Sequence, residues 1–182
     1  MALAALDPNV ALVVIDLQKG IVGVPTVHPA QEIVSRTARI ARAFRERRLP
    51  VVLVNVTGMA PGRSDTGSAS IKRPEGWTEL VPELEQQAGD YRVSKQRWGA
   101  FIGTPLDDIL KTRKVTQIVL TGIATSKGVE STARSAYDLG YNVVIVVDAV
   151  TDRDPDEHRH CVEKIFPKLA ETTTTDQLLD LL

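Results

Sequence analysis

Residues 117 to 149 read QIVLTGIATSKGVESTARSAYDLGYNVVIVVDA, which predicts a strand, a turn, a helix and a second strand. Gln117 to Leu120 open a run of β-branched apolar residues, the pattern of a strand buried on both faces. Thr121 to Gly128 are small, polar and flexible. Val129, Ala133, Ala136, Tyr137 and Gly140 then recur at helical spacing, with Gly140 as the stop. Asn142 to Val147 form the next strand, which ends at Asp148. A unit of this length crosses over between parallel strands. In an open parallel sheet ligands bind beyond the carboxyl ends of the strands. A helix beginning near Gly128 is therefore expected to turn its free N–H groups toward an anion there.

The same form occurs earlier in the chain. Ala11 to Ile15 are continuously apolar and end at Asp16, and Pro50 to Val56 form a second such run. Tyr91 to Ser94 predict a short strand followed by Lys95, and Glu171 to Thr175 an edge strand. Helices are expected over 31–48, from Thr104-Pro105 through Lys111, after an Asp154 N-cap, and over 177–182. The prediction is one domain over 1–182, a three-layer α/β/α fold. Its core is a Rossmann-like six-stranded, mainly parallel sheet flanked by helices.

Charge and composition exclude several classes. Net charge is −1, so nothing favours nucleic acid or an anionic membrane surface. The arginines of 31–48 read as a solvated helix face, because no aromatic residues are interleaved. No apolar run approaches membrane-spanning length, and the first residues lack the pattern of a secretory signal, so a cytoplasmic location is expected. The single cysteine, Cys161, allows no internal disulfide and sits in a helical pattern without site residues around it. His28 stands beside prolines in a loop. Residues 59–90, broken by Gly62, Gly67 and Pro74 and charged by Arg63, Lys72 and Arg73, predict a long lid or binding loop.

Three segments together resemble a known family. G-I-A-T-S-K-G-V-E-S-T-A over 122–133, K-Q-R-W-G-A-F over 95–101 and I-D-L-Q over 15–18 are similar to the signatures of the isochorismatase-like, or cysteine hydrolase, superfamily. The resemblance implies that Asp16 and Lys95 are catalytic, and that Gly128 stands where the amidases carry their nucleophilic cysteine. It also implies a cis peptide near Ile123-Ala124, and substrate contacts from Ile123, Ala124, Thr125 and Lys127. Gln18 is expected either to reach the substrate or to hold its loop, and Trp77 either to wall the pocket or to anchor the loop. Trp98 is expected at the pocket and Phe101 in the core. The zinc-dependent members place an Asp-x-His pair where this chain has Asn55 and Thr57, so no metal and no cofactor are expected. The partners expected are a small-molecule substrate and copies of the chain itself, as homodimer or homotetramer.

Without a thiol, a covalent route lacks its nucleophile. The resemblance then points to vinyl-ether hydrolysis of an isochorismate-like molecule, with Asp16 donating a proton, Lys95 balancing charge and Gly128 leaving space. The alternatives are an amidase whose cysteine has been replaced, or a silent binding or scaffold protein that keeps the fold.

Overall fold

A computed structural model describes residues 3–65 and 73–182. The expected Gly67 and Lys72 of the long loop lie outside the described residues. Six strands form one sheet: β1 (Val10–Ile15), β2 (Val51–Val56), β3 (Tyr91–Lys95), β4 (Gln117–Ile123), β5 (Asn142–Thr151) and β6 (Glu171–Thr173). Their order is β3-β2-β1-β4-β5-β6, and every neighbouring pair is parallel. β1, β2 and β4 are buried along essentially their whole length, as their largely apolar sequences favour.

Because successive side chains alternate between faces, each strand feeds two cores. Ala11, Val13, Ile15, Val52 and Val54 face one way, where Leu106 and Leu110 of α3 (Leu106–Thr112) and Ala133 and Ala136 of α4 (Glu130–Asp138) cover them. Val10, Leu12, Val14 and Leu53 face the other way. There they meet Ile33, Ile40 and Phe44 of α2 (Ala30–Glu46) and Leu178 of α6 (Thr175–Leu181). Each large apolar side chain removed from water in this way stabilises the fold by about 1.5–3 kcal/mol. A short helix, α1 (Lys19–Val22), follows β1, and α5 (Pro155–His160) starts from Asp154, whose carboxylate accepts from the Asp156 and Glu157 N–H groups.

Four local expectations need correction. Tyr137 is 56% exposed, and the buried face of α4 is made by Thr132, Ala133 and Ala136. Arg45 does not join the outward arginines of α2: it is buried against Asp90 at 2.7 Å and also donates to Leu84 O. The last strand ends at Thr173, because Thr174 is claimed as N-cap of α6 in a capping box with Gln177. The helix after β4 does not start as a regular one. Thr125–Val129 form a π-helical turn, and α4 begins at Glu130.

The strand order decides where a site can form. The chain leaves β1 for β2 on one side and returns to β4 on the other. The loops diverge between the carboxyl ends of β1 and β4 and open a crevice there. Gly122 lets the two strands close below it. Its φ is +120°, and a β-carbon there would lie 2.0 Å from Ile15 O.

Candidate active site

Asp16 leaves β1 in a left-handed conformation, φ 53°, which turns its carboxyl inward toward the crevice. Lys95 is the last residue of β3, two strands away, and is 2% exposed. Its chain spans the end of β2, and Nζ donates to Asp16 Oδ2 at 2.7 Å and to Arg97 O at 3.1 Å. The other Asp16 oxygen, Oδ1, is buried and has no hydrogen-bond partner among the described residues. Burial pushes the Asp16 carboxyl from its usual 3.8 up to about 6, and the neighbouring Lys95 charge and hydrogen bond only partly oppose it.

These groups open into a cavity of about 280 Å³. Ile21, Val24, Val56 and Ile123 supply apolar wall, and Trp77 and Trp98 lie at its sides. Trp77 packs on Gly20, where a β-carbon would lie 2.0 Å from its ring, and Arg73 stacks over that ring at 5.0 Å. Gly128 faces Asp16 across the cavity floor. A β-carbon on it would come within 2.8 Å of Ile15 Cγ2 and 3.3 Å of Asp16 Oδ2. The peptide between Ile123 and Ala124 is cis.

The structure thus brings Asp16, Lys95, Gly128, Trp77, Trp98, Ile123, Ala124 and Lys127 to one cavity. It does not bring Gln18 or Thr125 there. Gln18 is fully buried, donates to Val56 O and Trp77 O, each at 3.1 Å, and accepts from Val56 N at 2.8 Å. It ties the end of β2 to the long loop. Thr125 turns away and shares a 2.9 Å hydrogen bond with His158 Nδ1, whose pKa burial lowers. The turn's N–H groups are not all open to a ligand anion either, since Ser126 N donates to Asp152 Oδ2 at 2.6 Å. Asn55 donates to Thr78 O and accepts from Ser94 Oγ, so its amide is committed to holding the loop. Cys161 lies off the cavity, and burial with Glu130 beside it pushes its thiol up to about 12.

Sequence reasoning missed Arg97 and Arg153, which also line the cavity. Each stands two residues past the end of a strand, the region that had singled out Asp16 and Lys95. Met59 and Arg73 of the long loop line it as well.

Comparison with known proteins places this geometry in context. Residues 10–177 match the model of the isochorismatase domain. The isochorismatase family protein YwoC of Bacillus subtilis is 39% identical over 177 residues, 93% of this chain and 92% of YwoC. The structure of an isochorismatase family protein from Burkholderia thailandensis superposes with a TM-score of 0.94 at 43% identity, covering 98% of this chain and 97% of that one. N-carbamoylsarcosine amidase from Thermoplasma acidophilum superposes with a TM-score of 0.76 at 30% identity, covering 92% of this chain and 97% of the amidase. No helix among the described residues is long and apolar enough to cross a membrane.

Proposed function

The chain belongs to the isochorismatase family and is a hydrolase, and we propose that it cleaves the vinyl ether of a small isochorismate-like molecule with Asp16 as general acid. The observation that carries the reading is the state of Asp16. A general acid must hold its proton near the working pH. Burial favours the neutral carboxyl strongly enough to raise it to about 6 even with Lys95 at 2.7 Å. Among the described residues Oδ1 meets no hydrogen-bond partner that would compete for the proton.

In this reading Asp16 delivers its proton to the methylene carbon of the vinyl ether. The double-bond electrons form the new C–H bond and leave an oxocarbenium ion on the neighbouring carbon. The Asp16 carboxylate, now charged, lies beside that cation in an apolar cavity where the attraction is strong. Water adds to the cationic carbon and gives its proton back to Asp16. The hemiketal then collapses to pyruvate and an alcohol. Lys95 fixes the Asp16 rotamer and balances the carboxylate when it forms. Gly128, which we place at the position of the amidase cysteine, leaves the Asp16 face open to the substrate carbon.

The test is pyruvate release from isochorismate, coupled to lactate dehydrogenase, for wild type beside Asp16→Ala and Lys95→Ala. Turnover that both substitutions abolish supports the reading. A folded wild type that releases no pyruvate removes isochorismate as substrate. One observation favours a second reading, an amidase that has lost its cysteine: a β-carbon at Gly128 would point at Asp16 Oδ2 from 3.3 Å, within reach for a thiol and its base.

A further inference from the structure

We propose that a second cleft, at the amino ends of β1, β2 and β3, binds a small molecule carrying a diphosphoryl group, and that Arg48, Arg113 and Lys114 hold it. The cleft lies at the opposite end of the strands from Asp16. At about 3.3 Å per residue, β1 alone sets the two about 20 Å apart. The inference therefore goes beyond the reaction proposed above and does not depend on it.

The way two helices end is the first argument. α2 closes with Arg48 N donating to Arg45 O and Leu49 N to Phe44 O, each at 2.9 Å. α3 closes in the same way, with Lys114 N donating to Lys111 O and Val115 N to Leu110 O, each at 2.9 Å. This closure needs one left-handed residue, and glycine is the usual choice for it. Here the two positions are held by Arg48, φ 58°, and Lys114, φ 55°. The main-chain bonds themselves satisfy these last-turn carbonyls, so neither cationic side chain is needed as a cap.

Charge is the second. Each helix end carries the equivalent of about half a negative charge. Arg47 with Arg48 at one end, and Arg113 with Lys114 at the other, outweigh it by about one and a half positive charges each. None of these four side chains has a hydrogen bond or ion pair among the described residues. Among the described residues lining the cleft, the one acid is Asp90, and Arg45 matches it at 2.7 Å.

Shape is the third. Two hollows of about 270 and 220 Å³ share Arg48, Leu49, Pro50 and Arg113, so they form one groove. α2 and α3 cover opposite faces of the sheet, and their ends bracket the groove from both sides. A concave site of this size suits a small molecule rather than a duplex or a bilayer. A net charge of −1 gives the chain no general attraction for either of those. The unmatched lining cations, Arg48, Arg113 and Lys114, call for several negative charges close together. A diphosphoryl group supplies them near neutral pH, since each phosphoryl carries about one to two charges, whereas a carboxylate carries one. The guanidinium forks bond phosphate oxygens in pairs, and the lysine adds a point charge.

The probe is inorganic pyrophosphate without metal, titrated calorimetrically into wild type at neutral pH and physiological ionic strength, beside orthophosphate and sulfate. One pyrophosphate is expected per chain, bound at least about tenfold more tightly than either single anion. Arg48→Gly and Lys114→Gly suit the left-handed backbone and should keep the fold, which urea unfolding checks. Each of them, like Arg113→Gln, should weaken pyrophosphate about tenfold, the loss of one charge-assisted hydrogen bond. Arg97→Gln, at the Asp16 cavity, should bind pyrophosphate as wild type does. No saturation at millimolar pyrophosphate, an affinity equal to that for sulfate, or unchanged affinity in Arg48→Gly would overturn the inference. So would loss of binding in Arg97→Gln, which would put the anion in the Asp16 cavity. Pyruvate release plays no part in these outcomes, so this inference and the vinyl-ether reading fail separately.

Discussion

If Asp16 supplies the proton, pyruvate release should fall as the pH rises through about 6, the value to which burial lifts this carboxyl. The direction follows from the chemistry: the active form is the protonated one, which the folded protein favours over an exposed carboxyl. The profile of kcat/KM reports the free enzyme. With an ionisation at about 6, about nine-tenths of Asp16 is protonated at pH 5 and about one-hundredth at pH 8, so kcat/KM should drop about ninetyfold across that range. Above pH 7 the slope should approach tenfold per unit. Substrate carboxylates ionise below this window and leave the limb unchanged. Initial rates would be taken as pyruvate dinitrophenylhydrazone, a readout independent of a coupling enzyme's own pH range. Asp16→Asn, whose amide cannot supply the proton, should lose about 10²–10⁴-fold and with it the alkaline limb. A rate that climbs through pH 6 would mean that Asp16 works as a carboxylate base, and a level profile between pH 5 and 8 would mean that its proton takes no part. Either result refutes the argument from burial.

The same linkage acts on stability: a carboxyl raised above its unfolded value contributes fully below about 4, and the contribution is lost as pH climbs through about 6. Urea unfolding of wild type should therefore show a loss between those values that Asp16→Asn lacks. Gly128→Cys must displace Ile15 Cγ2, which would sit 2.8 Å from the new β-carbon, and it places a thiol beside Asp16. Pyruvate release should fall at least tenfold, and intact mass should show rapid alkylation by iodoacetamide; amide hydrolysis by this variant would instead strengthen the amidase reading. Arg45→Ala strips a buried partner from Asp90, which keeps only the Gln87 N–H, and should cost about 3–5 kcal/mol in urea unfolding with no change in pyruvate release by the remaining folded protein.

Much of the architecture was legible because it depends on short-range pattern. Apolar runs such as Ala11–Ile15 and Gln117–Leu120 have one favourable fate, a strand buried on both faces. The glycine after α4 has φ 88° and ends that helix where its position in the sequence suggests. The errors share a cause. Tyr137 has the right spacing to be buried, yet α4 needs only a narrow stripe of small residues against the sheet. Arg45 sits in a row of outward arginines, and only the arrival of Asp90, 45 residues later, turns it inward.

The sequence by itself determined that strands would end at Asp16 and Lys95, and that a glycine-bearing turn would follow β4. Residue type and periodicity settle such questions within a few positions. It did not determine which of these ends would touch. The Lys95–Asp16 bond spans 79 residues and exists because a single strand, β2, separates the ends of β1 and β3, a gap that a lysine side chain can cross. Gln18 could have pointed to either side of its loop until β2 offered it a complete set of main-chain partners. The convergence of Arg97 and Arg153 follows from strand order alone, since it is the sheet that brings the ends of β3 and β5 to one crevice. Tertiary structure decided these matters because burial and charge pairing depend on distances through space, and local sequence does not encode them.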